Sequence, residues 1–155
     1  MAGIKTIEIN YEMPFEGMLV NAHVPRHQRE KIFRQLGSKD VKFPHRKTVA
    51  FEIKDFRFRE STLSRTAAKY IRADDSEPPW KPFDIEHVLA YFQKNPKKFD
   101  HHFVFASRRT FDVGGVPHIF ILIRNGDHAD LELVPDNHAW AAHTSIFPGQ
   151  RKLPG

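Results

Sequence analysis

The densest group of chemically reactive side chains lies in residues 124–143, RNGDHADLELVPDNHAWAAH. His128, Asp130 and Glu132 alternate with other residues, so on a β-strand they would share one face at intervals of about 6.5–7 Å. An imidazole and a carboxylate at this spacing suit a divalent cation if a third ligand comes from elsewhere. The pattern predicts His128 and Asp130 as candidate metal ligands. The alternative is the polar outer face of a sheet, which has the same alternation.

A tight turn at Asn125-Gly126 predicts a β-hairpin around this row. A two-residue loop there places Arg124 opposite Asp127. One face of the hairpin is then apolar and consists of Phe120, Leu122, Leu131 and Leu133. The other face, that of His128, also has three isoleucines, which indicates that a further element such as a helix covers part of it.

The last part of the chain also suits catalysis without a metal. Cleavage of a phosphodiester bond needs a base, an acid and a cation that stabilises the developing charge. Histidine suits the first two roles because its pKa lies near neutrality. The hypothesis assigns catalytic roles to residues of the predicted terminal sheet, namely His118, His143, Arg108 and Arg109. It needs no cofactor. The alternative for His118 is a half-buried structural histidine.

Positive charge is concentrated in the first half of the sequence. The 155 residues have a net charge of +5, yet residues 23–72 hold 14 Lys and Arg against 5 Asp and Glu. Cations alternate with phenylalanines in KDVKFPHRK and KDFRFRE. Cations contact phosphates and aromatic rings stack on bases, so the pattern predicts a surface for nucleic acid or another polyanion. Its candidate residues are Arg46, Lys47, Lys54, Arg57, Phe58 and Arg59.

Composition excludes several classes of site. The chain has no cysteine, which excludes disulfides, thiolate zinc sites and cysteine nucleophiles. It has no apolar run of about 18 residues, and its first residues do not resemble a signal peptide. We therefore expect a cytoplasmic protein that does not bind a membrane.

Hydrophobic periodicity predicts an α+β fold in one domain, residues 1–155, with a candidate internal boundary in the proline-rich loop 73–82. The predicted sheet is antiparallel: N-terminal strands join a C-terminal four-stranded meander, and about three helices cover it. The predicted strands are 5–12, 17–24, 48–59 with a bulge near residues 54–55, 101–111, 116–124, 129–134 and 138–147, and the helices are 26–37, 61–72 and 83–96. Residues 147–155 are expected to fray.

Three functional hypotheses remain open. The first is a domain that binds nucleic acid or another polyanion, with a metal-independent phosphodiester-cleaving nuclease as its enzymatic form. The second is a non-catalytic interaction module, such as an inhibitor or accessory factor, that binds an acidic protein. The third is a metal-dependent enzyme that uses the face of His128, Asp130 and Glu132.

Overall fold

The computed structural model describes residues 5–38, 40–56, 58, 60–73, 77–94, 103–125, 128–137, 139–140 and 145–154. The helices in these residues are α1 (Phe15–Asn21), α2 (Arg26–Leu36), α3 (Ser64–Arg72) and α4 (Ile85–Lys94). The strands are β1 (Lys5–Asn10), β2 (Thr48–Phe56), β3 (Thr62–Leu63), β4 (Lys81–Pro82), β5 (Phe103–Val113), β6 (Val116–Asn125), β7 (His128–Pro135), β8 (Ala139–Trp140) and β9 (Ser145–Lys152). The predicted α+β class is confirmed.

Most strands form one mixed sheet with the order β1-β2-β9-β5-β6-β7, and β4 also pairs with β9. Strand β9 runs antiparallel to β2 but parallel to β5. The other described pairs are antiparallel, including the separate pair of β3 and β8. The predicted sheet was antiparallel, which is wrong for one pair of neighbouring strands, β5 and β9.

The C-terminal segment differs most from the prediction. Strands β5, β6 and β7 form a meander, but the expected fourth strand at 138–147 does not follow β7. Ala139–Trp140 pair with β3 instead, and Ser145–Lys152 enter the middle of the sheet. Residues 145–152 therefore form a central strand, not a frayed tail. Pro148 and Gly149 are residue types typical of loops. The pairing of β9 with β5 involves Ser145 and Ile146, which precede Pro148, and a proline has no N–H to donate to a neighbouring strand.

Helix α1 replaces a predicted strand and brings the described helices to four, one more than predicted. Phe15, Met18, Leu19 and Ala22 are all buried and follow helical spacing. Short apolar runs do not distinguish a strand from a buried helix, which explains the error. No helix in the described part of the chain is long and apolar enough to cross a membrane.

Helices cover both faces of the sheet. On one face, α1, α2 and α4 pack over a first core that includes Phe51 and Phe120. On the opposite face, Ala67 and Ile71 of α3 pack in a second core with Phe147. Residues 77–82, within the loop proposed as an internal boundary, add the buried Trp80 and strand β4 to this side.

Burial on both faces also explains why the apolar positions of β2 change from odd-numbered to even-numbered residues along the strand. Val49, Phe51 and Ile53 belong to the first core, whereas Phe56 belongs to the second. The pairing of β2 with β9 runs without interruption from Phe51 to Phe56. The predicted bulge near Lys54 is therefore wrong, and the change of parity marks a strand with apolar side chains on both faces.

The hairpin of β6 and β7 has the predicted faces but a different register. Asn125 pairs with His128, so Arg124 lies opposite Ala129 and not opposite Asp127. This shift of two residues leaves each side chain on its predicted face, because sheet side chains alternate with a period of two. The predicted apolar face is buried, and the opposite face is covered too, with Ile119 and Ile121 in the second core.

We expect Phe147→Ala to lower the free energy of unfolding by about 3–5 kcal/mol. The side chain is 1% exposed, and its ring stacks on Phe105 with centroids 4.5 Å apart. Urea denaturation measures the change, with Lys152→Ala as a control at an exposed position of the same strand. Phe147→Leu conserves more volume and is expected to cost less than about 1.5 kcal/mol. A loss below about 1 kcal/mol for the alanine variant would contradict a central β9.

Candidate active site

Strand β5 departs from regular pairing where it meets the start of α4. Its register against β6 shifts between Ala106 and Phe111, so that residues 107–110 of β5 oppose a single residue of β6. Such a bulge bends a strand and redirects its side chains. The backbone N–H of Arg108 donates to the carbonyl of Phe83 at 3.0 Å. This bond fixes the bulge, and with it Arg108 and Arg109, beside the first turn of α4.

Two local hydrogen bonds organise that first turn. One carboxylate oxygen of Asp84 accepts from the N–H of Ile85 at 2.8 Å, and the N–H of Asp84 donates to His87 Nδ1 at 3.0 Å. The second bond follows the logic of a capping box, in which the third helical residue reaches back to the cap. Because Nδ1 of His87 accepts, the proton of its neutral imidazole is on Nε2.

Arg109 connects the bulge to two other parts of the chain. Its Nε lies 3.0 Å and 2.8 Å from the two carboxylate oxygens of Asp84. Its Nη1 donates to the carbonyl of Lys42 at 3.0 Å. The guanidinium also lies over the rings of Phe111 and Phe43, at 4.8 Å and 5.7 Å from their centroids. These contacts hold the 42–43 segment against the start of α4.

Glu86 is the most deeply buried carboxylate of this group, with 2% of its surface exposed. The hydroxyl of Tyr11, just after β1, donates to Glu86 Oε2 at 3.0 Å. Oε1 is buried and has no hydrogen-bond partner among the described residues. When Glu86 is protonated, its proton is therefore on Oε1, since Oε2 already accepts from Tyr11.

These side chains surround a cavity of about 320 Å³. Three of the residues that line it each have a buried polar atom without a partner among the described residues: Glu86 Oε1, His87 Nε2 and Arg109 Nη2. The full lining consists of Tyr11, Lys42, Phe43, Pro44, His45, Phe51, Asp84, Glu86, His87, Arg108 and Arg109. Unpaired buried polar atoms are costly, and three at one cavity indicate a place where a polar ligand binds.

The surroundings of the cavity shift the pKa values of Glu86 and His45 in opposite directions. Burial, reinforced by the charge of Asp84, raises the pKa of Glu86 to about 7, although Tyr11 and Arg109 favour the ionised form. Burial and the cations Lys152 and Arg108 lower the pKa of His45. Near neutral pH, Glu86 therefore keeps much of its proton while His45 is neutral, which suits one as an acid and the other as a base.

His87 and Tyr11, the other two lining residues with shifted pKa values, stay uncharged near neutral pH. Burial lowers the pKa of His87 to about 3, with Arg108 adding to the effect. Burial and the neighbouring Glu86 raise the pKa of Tyr11 far above its ordinary value. His87 and Tyr11 can therefore donate hydrogen bonds across the neutral range but do not exchange protons there.

Of the four predicted catalytic residues, the structure brings Arg108 and Arg109 together at this cavity. His118 is buried in β6, where its Nδ1 lies 2.8 Å from the carbonyl of Val116, and it does not line the cavity. Its place in the sheet matches the alternative of a structural histidine. His143 lies outside the described residues.

The described members of the predicted nucleic-acid set lie in different parts of the fold. Arg46 and Lys47 are exposed and follow His45 at the cavity. Lys54 lies 5.0 Å from the ring of Phe56, on the side of the second core. Phe58 packs on that side too, with its ring 5.2 Å from Tyr70 and 5.5 Å from Phe147. Arg57 and Arg59 lie outside the described residues.

The candidate metal ligands remain a prediction. His128 begins β7, but its side chain is outside the described set. The carboxylate of Asp130 accepts a hydrogen bond from the side-chain amide of Gln28, whose carbonyl in turn accepts the N–H of Leu131 at 2.8 Å. Gln28 thus connects α2 to strand β7. Among the described residues, no group of three or more His, Asp or Glu side chains could hold a metal ion.

Sequence reasoning missed Tyr11, His45, Glu86 and His87 as site residues. Glu86 and His87 lie between the apolar residues Ile85 and Val88 and form no recognisable motif. Their contacts come from residues distant in sequence: Tyr11 donates to Glu86, and the ring of Phe51 lies 4.6 Å from that of His87. The one local signal is the sequence Asp84-Ile85-Glu86-His87, which places three titratable groups in a single helical turn.

Comparisons with protein-family models, curated proteins and solved structures find no match for this chain. The interpretation of the cavity therefore depends on its geometry and chemistry.

We expect Glu86→Gln to change how stability depends on pH. The raised pKa of Glu86 means that the folded chain binds this proton more tightly than the unfolded chain. This contribution to stability is complete below the ordinary value of 4.5 and is lost as the pH rises through about 7. Relative to the parent, the variant should therefore gain up to about 3 kcal/mol between about pH 4 and about pH 8.

Urea denaturation of both proteins across this pH range measures the difference. His87 is present in both proteins, so its own contribution cancels. Glu132→Gln, at an exposed position of β7, is the matched control for loss of a carboxylate. A constant difference between Glu86→Gln and the parent would contradict the raised pKa of Glu86.

Proposed function

We propose that this chain binds single-stranded nucleic acid at the basic rim of the cavity and cleaves a phosphodiester bond inside it. The observation that supports this most strongly is the buried carboxyl group of Glu86, a residue with an unpartnered Oε1 that lines a cavity together with two arginines. A carboxylic acid in such a place can protonate a leaving group, and the arginines can stabilise a phosphate in the transition state.

The charge and size of the site suit a phosphate-bearing ligand. Lys42 and Arg108 line the cavity and are exposed, and the exposed Arg46 and Lys47 directly follow the lining residue His45 in sequence. A cavity of about 320 Å³ is within the size range of small-molecule sites. A second hollow of about 230 Å³ shares Tyr11, Phe43 and His45 with it. Two adjoining hollows would accept the residues on either side of one phosphate.

The polar atoms divide into plausible chemical roles. Neutral His45 takes a proton from the attacking hydroxyl group, and Glu86 Oε1 gives a proton to the leaving oxygen. The N–H groups of His87 Nε2 and Arg109 Nη2 donate to the phosphate oxygens that gain charge. The assignment keeps Arg108 and Arg109 from the sequence-based hypothesis and replaces His118 and His143 by His45 and Glu86.

We expect Arg108→Ala to weaken binding and to reduce its dependence on salt. Removal of one phosphate contact should lower the slope of log affinity against log salt by about 0.7–1. Fluorescence anisotropy with a labelled oligonucleotide of about 20 nucleotides, from about 50 to about 200 mM salt, measures this. The control is Arg65→Ala, since Arg65 is exposed on α3 across the sheet. Equal effects of both variants would contradict binding at the cavity.

We expect Glu86→Gln to slow cleavage by about 100-fold or more while binding is retained. Glutamine keeps the shape of glutamate but cannot give a proton. In the parent, the rate should fall as the pH rises above about 7, because Glu86 loses its proton there. Gel analysis of end-labelled RNA and DNA measures both effects, with Glu132→Gln as the control. Binding without cleavage of either nucleic acid would favour a non-catalytic interaction module.

A further inference from the structure

We infer that the cavity cleaves RNA and not DNA, because the attacking group is the 2′-hydroxyl of the substrate's own ribose. The inference rests on the proposed function and names its substrate class. The residues that line the cavity restrict which group near Glu86 can attack phosphorus.

The described residues offer no suitable hydroxyl nucleophile at this place. Among the lining residues that the structure describes, the only hydroxyl group is that of Tyr11. This group already donates to Glu86 Oε2 at 3.0 Å. The buried carboxyl beside it disfavours the phenolate, so Tyr11 lacks the reactive form that attack requires. The chain also has no cysteine.

The carboxylates of the cavity are also poorly arranged to activate water through a divalent cation. Asp84 is paired with Arg109 at 2.8 Å and accepts the N–H of Ile85. Glu86 shares the lining with Arg108 and Arg109, and its Oε2 already accepts a hydrogen bond from Tyr11. The Asp84 carboxylate is thus already engaged by a cation and a helix N–H, and the Glu86 carboxyl group by Tyr11, which disfavours both as ligands of a divalent cation.

A ribose 2′-hydroxyl makes both a protein nucleophile and a metal-activated water unnecessary. Neutral His45 takes the proton of the 2′-hydroxyl, and the 2′-oxygen forms a bond to phosphorus. The bond from phosphorus to the 5′-oxygen breaks, and Glu86 Oε1 gives its proton to that oxygen. The products are a 2′,3′-cyclic phosphate and a free 5′-hydroxyl. Exchange of one proton with solvent restores both residues, and no other reactant is consumed.

DNA presents the same phosphates to the same cations, so it should bind with similar affinity. It lacks the 2′-hydroxyl that would attack phosphorus, so bound DNA should remain intact. The basic rim therefore supports binding of both nucleic acids, whereas cleavage requires ribose.

The test uses the full chain and three labelled oligonucleotides of one sequence, each about 20 nucleotides long. One is RNA, one is DNA, and one is RNA with a single 2′-deoxyribose at the mapped cleavage position. We expect cleavage of the RNA to a 2′,3′-cyclic phosphate end. The substituted position should be cut at least about 100-fold more slowly although binding changes less than about threefold.

The possible results separate the two levels of the proposal. Equal cleavage at the ribose and deoxyribose positions overturns the 2′-hydroxyl inference and leaves the proposed function standing. Failure to cleave any of the three oligonucleotides overturns both. His45→Ala and Glu86→Gln add a further check, with Arg65→Ala as the control. If both variants cleave RNA at the parent rate, the activity does not come from this cavity and both levels fail.

Discussion

The ion pair between Asp84 and Arg109 determines the geometry of the cavity. Asp84 precedes α4, Arg109 belongs to the bulge of β5, and the same guanidinium holds the carbonyl of Lys42. Three segments that are far apart in sequence therefore meet at one pair of charges. A partly buried ion pair must compensate for lost hydration. Here two carboxylate contacts, a backbone carbonyl and two aromatic rings surround the guanidinium.

The pair also explains why two neighbouring carboxyl groups differ. Asp84 has the cation of Arg109 and the N–H of Ile85 as partners. Glu86, two residues later, is buried beside the charge of Asp84 and receives one hydrogen bond from Tyr11, so its pKa rises to about 7. The local arrangement thus gives two chemically similar groups different partners, an arginine for Asp84 and a tyrosine for Glu86. This difference follows from placement alone, since both lie in the same helical turn.

The sequence predicts local features well and long-range features poorly. Helix α2 ends at Leu36, one residue before the predicted bound, and Gly37 caps it in a left-handed conformation with φ of 72°, which suits a residue without a side chain. The faces of the β6–β7 hairpin were also predicted, because alternation is a local property. The position of β9 depends on which strand edges are free, and no pattern within residues 145–152 contains that information. Residue type alone pointed to Arg108 and Arg109, which line the cavity, whereas the burial of Glu86 depends on segments distant in sequence.

The central position of β9 also has a consequence during synthesis of the chain. Strands β1 and β2 can pair early, and β5, β6 and β7 can pair next, but the edges of β2 and β5 that face each other have no partner until residues 145–152 are made. Unpaired strand edges are templates for contact with other chains. A nascent chain that stops before β9 would therefore expose two adhesive edges to chaperones and to its own copies. The strand that completes the sheet also ends this vulnerable period.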